Sequence, residues 1–211
     1  MKFIKKIFST LVVLVVIIIA IGLGSNYVIK EKFFPYKYKE YVDKYSSKYK
    51  LDPLFVLAVI KTESKFDDDA HSHKNAVGLM QITVETGEWA AKEMGFTTFS
   101  KDDLYDEEYN IRMGCWYLRR INDTFDGDLD LTIAAYNAGP TNVQTWLKNE
   151  KYSSDGKSID YIPFGETKKY VDKVDAYYHV YEYLYGKKEC YIGVDKIIKL
   201  IKSSLNVQFF S

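Results

Sequence analysis

Residues 51–81 read LDPLFVLAVIKTESKFDDDAHSHKNAVGLMQ, and the first third of that stretch sets the fold class. Asp52 is a favoured N-cap and Pro53 suits the first helical position, so a helix opens there. It continues through Leu54, Phe55, Val56, Leu57, Ala58, Val59 and Ile60, apolar on nearly every face, which predicts a buried helix. Glu63 follows one turn after Val59 and Ile60 and shares their face. A carboxylate at the C-terminal end of a buried helix is electrostatically misplaced. Desolvation disfavours its charge, and so does the negative end of the helix dipole. Both push its pKa upward, toward an acid that holds its proton near neutral pH and can donate it. Glu63 is the candidate general acid. The competing reading is a helix-end glutamate that faces water or pairs with Lys61 or Lys65.

Further positions follow in order: Glu63-Ser64-x-Phe66, Ala70-x-Ser72, then Gly78-Leu79-Met80-Gln81-Ile82. Downstream come Asn110-Ile111-x-x-Gly114-x-x-Tyr117-Leu118 and Ala134-Ala135-Tyr136-Asn137-Ala138-Gly139-Pro140. The last is Ile162-Pro163-Phe164-x-Glu166-Thr167-x-x-Tyr170-Val171. Together, over about residues 40–185, these resemble the lytic transglycosylase family, whose SLT domain is an all-α, lysozyme-like fold related to goose-type lysozymes. The resemblance implies cleavage of the β-1,4 bond between N-acetylmuramic acid and N-acetylglucosamine in peptidoglycan, with Glu63 as the single catalytic residue. It implies that Ser72, Met80, Gln81, Tyr136, Asn137, Glu166 and Tyr170 bind substrate, with Asn110 as polar support in the same site. Three positions depart from the family pattern: Asn75 stands where Gly is usual, Val84 where Pro is usual, and Glu107 near a second usual Pro. Asn tolerates a left-handed backbone better than most residues, so the turn at Asn75 survives. Val84 leaves the helix start after Gln81 less defined.

The chemistry expected of such a site needs one carboxyl group. Two-carboxylate glycosidases place a second Asp or Glu about 5–10 Å from the first. Family members use the substrate's own N-acetyl oxygen instead and close the sugar's 6-hydroxyl onto C1, giving a 1,6-anhydro product. Two other readings stand beside this one. Hydrolysis on the same fold would have Asp67, Asp68 or Asp69 hold a water, and a non-catalytic peptidoglycan-binding scaffold would bind without turnover.

The rest of the chain bounds the answer. Its 211 residues suffice for one domain with a real core and a short extra segment. Lys+Arg and Asp+Glu both number 29, so net charge argues for neither a nucleic-acid nor an acidic partner. Tyr is frequent, at 19; most of these rings are expected to pack rather than line a groove. Residues 67–73 hold three Asp and a His-x-His, but at neither EF-hand nor zinc spacing, so no metal is expected and no cofactor motif is present.

Lys2, Lys5 and Lys6 precede an uncharged apolar run at 7–24 that spans roughly 25 Å as a helix. The expectation is a cytoplasmic N-terminus at 1–6, a single-pass transmembrane anchor and an extracytoplasmic domain, with a cleaved signal peptide as the alternative. Residues 25–35 read as a patternless linker and 36–186 as the working domain. Within it, Tyr38, Tyr41, Val42, Tyr45 and Tyr49 recur at helical spacing, 151–160 is a polar and mobile loop, and Gly186 stops the last helix. The tail at 187–211 carries a short amphipathic pattern at Val194, Ile197, Ile198 and Ile201. Cys115 and Cys190 allow a disulfide in an exported protein.

Overall fold

A computed structural model of the protein describes residues 27–186, together with Leu14, Val15, Ile19, Gly22 and Gly24. Most of the expected anchor at 7–24 lies outside the described residues, and the tail at 187–211, with Cys190, lies wholly outside them. Among the described residues, no helix is long and apolar enough to cross a membrane.

The chain is mostly helical: α1 (Lys39–Lys48), α2 (Pro53–Glu63), α3 (Val84–Glu93), α4 (Glu107–Thr124), α5 (Leu129–Ala138), α6 (Pro140–Leu147) and α7 (Gly165–Tyr185). A short antiparallel hairpin, β1 (Ala76–Val77) and β2 (Ile82–Thr83), pairs Ala76 with Thr83 and Val77 with Ile82, a departure from the all-α expectation. A 3-10 turn at Lys101–Tyr105 precedes α4.

The centre of the molecule is α2. Its Asp52 side chain accepts from the Leu54 N–H at 2.7 Å, Pro53 takes the first helical position, and Leu54 through Ile60 are all buried. Helix α7 is its principal partner, α1 packs on another side, and α5 joins α7 to the α4–α6 group. Burying a helix on all faces removes most of its apolar surface from water, at about 25 cal/mol per Å².

The starts of three helices show why two departures from the family pattern are harmless. Thr83, Asp106 and Asp128 each cap a helix, accepting from Thr86, Tyr109 and Leu131 N–H respectively. Val84 and Glu107 both occupy the first helical position, whose N–H has no intrahelical partner. Proline is favoured there but not required, because the capping side chain satisfies the donors that matter.

Two loops carry more structure than expected. Within the linker at 25–35, Ile29–Phe33 forms a π-helical turn and the segment after it docks on α7. Phe34 meets Tyr177 and Tyr181 edge-on, with ring centroids 5.5 and 5.4 Å away. Tyr185 donates to the Phe34 carbonyl at 2.7 Å and Tyr181 to the Pro35 carbonyl at 3.1 Å. The polar loop at 151–160 is bonded to itself rather than loose. Asp155 accepts from Lys157 N–H, Ser158 N–H and the Ser158 hydroxyl, and these donors hold its carboxyl at about 2. Cys115 is fully buried in α4, where desolvation raises its thiol pKa, and its expected partner Cys190 is not among the described residues.

Candidate active site

Glu63 is the last residue of α2. Immediately after it the chain reverses: Lys65 and Phe66 both take left-handed backbone, with φ of 56° and 66°. A buried phenylalanine in that region is strained, and such strain is held in place only by surrounding structure. Here the Ser64 hydroxyl, itself buried, accepts from the Phe66 N–H at 3.1 Å. The reversal ends α2 directly behind the acid.

The Glu63 side chain keeps part of its surface open while its carboxyl is enclosed. Desolvation raises the pKa from 4.5 to about 7; a hydrogen bond from Tyr170 and the charge of Lys173 pull it part of the way back. The Tyr170 hydroxyl donates to Glu63 Oε1 at 2.5 Å. Tyr170 and Tyr136 both have phenol pKa values raised well above the usual one, first by burial and next by the Glu63 charge, so both phenols stay protonated beside the acid.

The backbone opposite is held by Asn110. This side chain, 1% exposed, accepts from Met80 N–H at 2.8 Å and donates to the Val77 and Leu104 carbonyls at 2.9 and 2.8 Å. Its polar capacity is spent on the protein backbone, in keeping with the expected role of polar support. Gly78, at φ 73°, completes this packing: a Cβ there would lie 2.4 Å from both Asn110 Nδ2 and the Leu104 carbonyl.

Met80 also needs correction. Its side chain is fully buried against Gly114, where a Cβ would stand 2.2 Å from the Met80 sulfur, so it packs the core instead of lining the groove. The groove-facing contribution of Met80 is its carbonyl, which accepts from the Tyr136 hydroxyl at 2.7 Å.

Gln81, at φ 48°, donates from Nε2 to the Ala70 and Gly78 carbonyls at 3.1 and 3.0 Å, closing the loop after the acid. With Tyr136, Asn137, Thr86 and Tyr117 it lines a cavity of about 200 Å³. Asn137 Oδ1 accepts from the Thr167 hydroxyl at 2.8 Å, fixing the orientation of the amide at that wall.

Two expected contacts sit further out. The Ser72 hydroxyl oxygen accepts from Lys74 and Ala76 N–H groups at 3.2 and 3.1 Å, and Asn75 beside it is left-handed, at φ 58°. Glu166, exposed in the first turn of α7, lies 3.5 Å from Lys74. That exposed pair joins the Ser72 loop to the start of α7, and such pairs contribute little to stability. Asp67 accepts from the Asp69 N–H within its own turn. Among the described residues no group of His, Cys, Asp and Glu is placed to hold a metal.

Sequence reasoning missed Lys173 and Thr167. Lys173 lies one turn after Tyr170 on α7 and donates to the Thr62 carbonyl at 3.4 Å. Its spacing from Tyr170 was a usable signal only once α7 was known to face Glu63. Thr167 is buried and holds Asn137, whereas the motif draws the eye to its exposed neighbour Glu166.

Comparison with known proteins bears on the family. The family described as the transglycosylase SLT domain matches residues 40–159. The soluble lytic murein transglycosylase of Escherichia coli K12 is 34% identical over 160 residues, covering 75% of this chain and 25% of the relative. Its counterpart in Salmonella typhimurium LT2 is 32% identical over 161 residues, with the same coverage. An inactive mutant of lytic transglycosylase Slt from Pseudomonas aeruginosa superposes with a TM-score of 0.65 at 30% identity, over 74% of this chain and 25% of that one. The 70 kDa soluble lytic transglycosylase in complex with bulgecin A gives 0.66 at 31% identity, with the same coverage. The chain thus spans about a quarter of the length of these relatives. With the acid, its tyrosine donor and the flanking motifs assembled in one place, and with the family match covering most of the described domain, the chain belongs to the transglycosylase SLT domain family.

Proposed function

We propose that this protein is a membrane-anchored peptidoglycan lytic transglycosylase that cleaves the β-1,4 bond between N-acetylmuramic acid and N-acetylglucosamine. The observation that carries the reading is Glu63, an enclosed carboxyl with a pKa of about 7 that meets the Tyr170 hydroxyl beside Tyr136. A carboxyl titrating near neutral pH can be an acid in one step and a base in the next. In the first step Glu63 gives its proton to the glycosidic oxygen as the C1–O bond breaks and the leaving sugar departs. The N-acetyl oxygen of the muramic acid shields the cationic C1. In the second step the Glu63 carboxylate takes the proton of the 6-hydroxyl, and O6 bonds to C1. The product is the 1,6-anhydro sugar, Glu63 ends protonated, and no water is consumed.

The charge of Lys173 acts on Glu63 and favours its carboxylate form, the form the second step needs. Tyr170 holds the carboxyl in one orientation, and Tyr136, fixed by the Met80 carbonyl, borders the reacting sugar. For the anchor, support comes from Lys2, Lys5 and Lys6 ahead of the uncharged run, which orient the domain outward.

The test is digestion of purified peptidoglycan with the full chain, followed by mass spectrometry of the soluble muropeptides. Anhydro products that vanish with Glu63→Gln are expected. Products heavier by one water would establish hydrolysis instead, and binding without release would establish a scaffold.

A further inference from the structure

Residues 27–36 form a segment of inverted polarity. Its backbone faces the domain. The Lys61 ammonium donates to the Phe33 carbonyl and the Tyr181 hydroxyl to that of Pro35, while the Tyr185 hydroxyl lies 2.7 Å from the Phe34 carbonyl and 3.4 Å from that of Lys30. Large side chains ahead of Phe34 face the other way: Tyr27, Val28, Ile29 and Phe33 are all exposed, Tyr27 by 67% and Phe33 by 59%. An ordinary surface turn would put such groups inward and leave its carbonyls to water. The segment precedes the family match at residues 40–159, and the reaction at Glu63 makes no use of it.

Three observations point to what covers it. The uncharged run at 7–24 ends just ahead of Tyr27, so residues 27–33 stand at the boundary of whatever surrounds that run. Between 27 and 37, Lys30, Lys32 and Lys37 stand against Glu31 alone. Lysines among exposed apolar groups are the composition of segments that lie in the headgroup layer of anionic bilayers, and tyrosine is enriched at that depth. The attachment to the domain is also stiff. Phe34 packs edge-on against Tyr177 and Tyr181, and the Lys61 ammonium lies 4.6 Å over the Phe34 ring and 5.0 Å over that of Tyr177. The turn itself is closed by the Phe34 N–H, which donates to the Ile29 carbonyl at 2.8 Å.

We infer that residues 27–33 lie in the headgroup region of an anionic phospholipid bilayer and seat the domain against it, so that Glu63 works on glycan at the membrane surface. The inference rests on the reading of 7–24 as an anchor and of Glu63 as the glycan-cleaving acid. The two helices that hold the segment give the height of the site. Glu63 is two residues beyond Lys61, about 3 Å along α2, and Tyr170 is seven residues from Tyr177, about 10 Å along α7. The acid therefore stands about two helical turns from the segment that meets the bilayer. Strands still held at the membrane come within its reach. Strands further out do not, because the clamped segment leaves the domain no free linker on which to swing.

The test uses the full chain reconstituted in phosphatidylglycerol-containing liposomes. A fluorophore is attached at Phe33→Cys or, for comparison, at Tyr161→Cys, an exposed position in the loop ahead of α7, each with Cys190→Ser; Cys115 is buried and does not compete. Lipids carrying a headgroup nitroxide are expected to quench the label at 33 about threefold or more than the label at 161. Activity is then measured on a glycan polymer still joined to its polyprenyl pyrophosphate in the same bilayer, and on the same polymer released into solution. Ile29→Glu with Phe33→Glu, two exposed positions, should lower the ratio of these rates by about tenfold and leave the released polymer cleaved as before. Equal quenching at the two positions, or an unchanged ratio, would overturn the inference and leave the anchor standing. Protein that fails to float with the liposomes would overturn both. None of these results touches muropeptide release from soluble peptidoglycan, so the catalytic reading is judged separately.

Discussion

The Tyr170 hydroxyl lies 2.5 Å from Glu63 Oε1 although 107 residues separate the two in sequence. The contact exists because α7 packs along α2, bringing the first half of the last described helix against the end of the second. It sets the titration of the acid, because a donor to the carboxylate favours the charged form and opposes the desolvation that drives the pKa up.

Activity should therefore depend on the Glu63 proton. The first step needs the protonated acid, so the rate should fall as pH rises through about 7. Tyr170→Phe removes a contribution that lowers this pKa, and the alkaline limb should move to higher pH while kcat drops from loss of orientation. The readout is the pH profile of muropeptide release for both proteins.

Stability should carry the same titration. The native carboxyl binds its proton up to about pH 7, whereas an unfolded glutamate releases it near 4.5. Between those values the native state holds more protons than the unfolded state, so stability falls as pH rises through that window and levels off above it. Glu63→Gln lacks this charge and should gain on the wild type by about 2 kcal/mol at pH 8, a figure reduced for the partly open side chain. At pH 4 the two should melt together. Thermal melts at the two pH values check it.

Asn110→Ala should cost about 3 kcal/mol, since three buried backbone groups lose their partner at once. Because Asn110 holds Met80, whose carbonyl holds Tyr136, the folded fraction should lose kcat more than KM. Denaturant unfolding gives the first quantity and steady-state kinetics at low temperature the second.

Phe34→Ala should lower stability by about 2 kcal/mol through the loss of two edge-on ring contacts to α7, without altering the pH profile. A true linker would show no change. Thermal melting of the full chain distinguishes the two.

Much of this was readable along the chain. Asp52-Pro53 and the apolar run to Ile60 specify a capped, fully buried helix, because capping and burial depend on neighbouring residues and on period. Glu63 at its end, the Asn75 turn and the Gly139-Pro140 break between α5 and α6 are local in the same sense. Met80 was misplaced because its motif names residue types and not directions. The turn from Gly78 to Gln81 sends the Met80 side chain inward against Gly114 and its carbonyl outward to Tyr136.

The sequence by itself determined that a buried helix ends in a carboxylate, and that turn and cap residues surround it. Only the tertiary structure decided which groups meet that carboxylate: Tyr170 and Lys173 from α7, and Tyr136 from α5. It also decided that Phe34 clamps to α7 and that Trp89 faces an open cavity. The reason is one of range. Capping, helical period and left-handed turns are set by residues a few positions apart, whereas desolvation and hydrogen bonding at Glu63 depend on helices brought together by burial of their apolar faces.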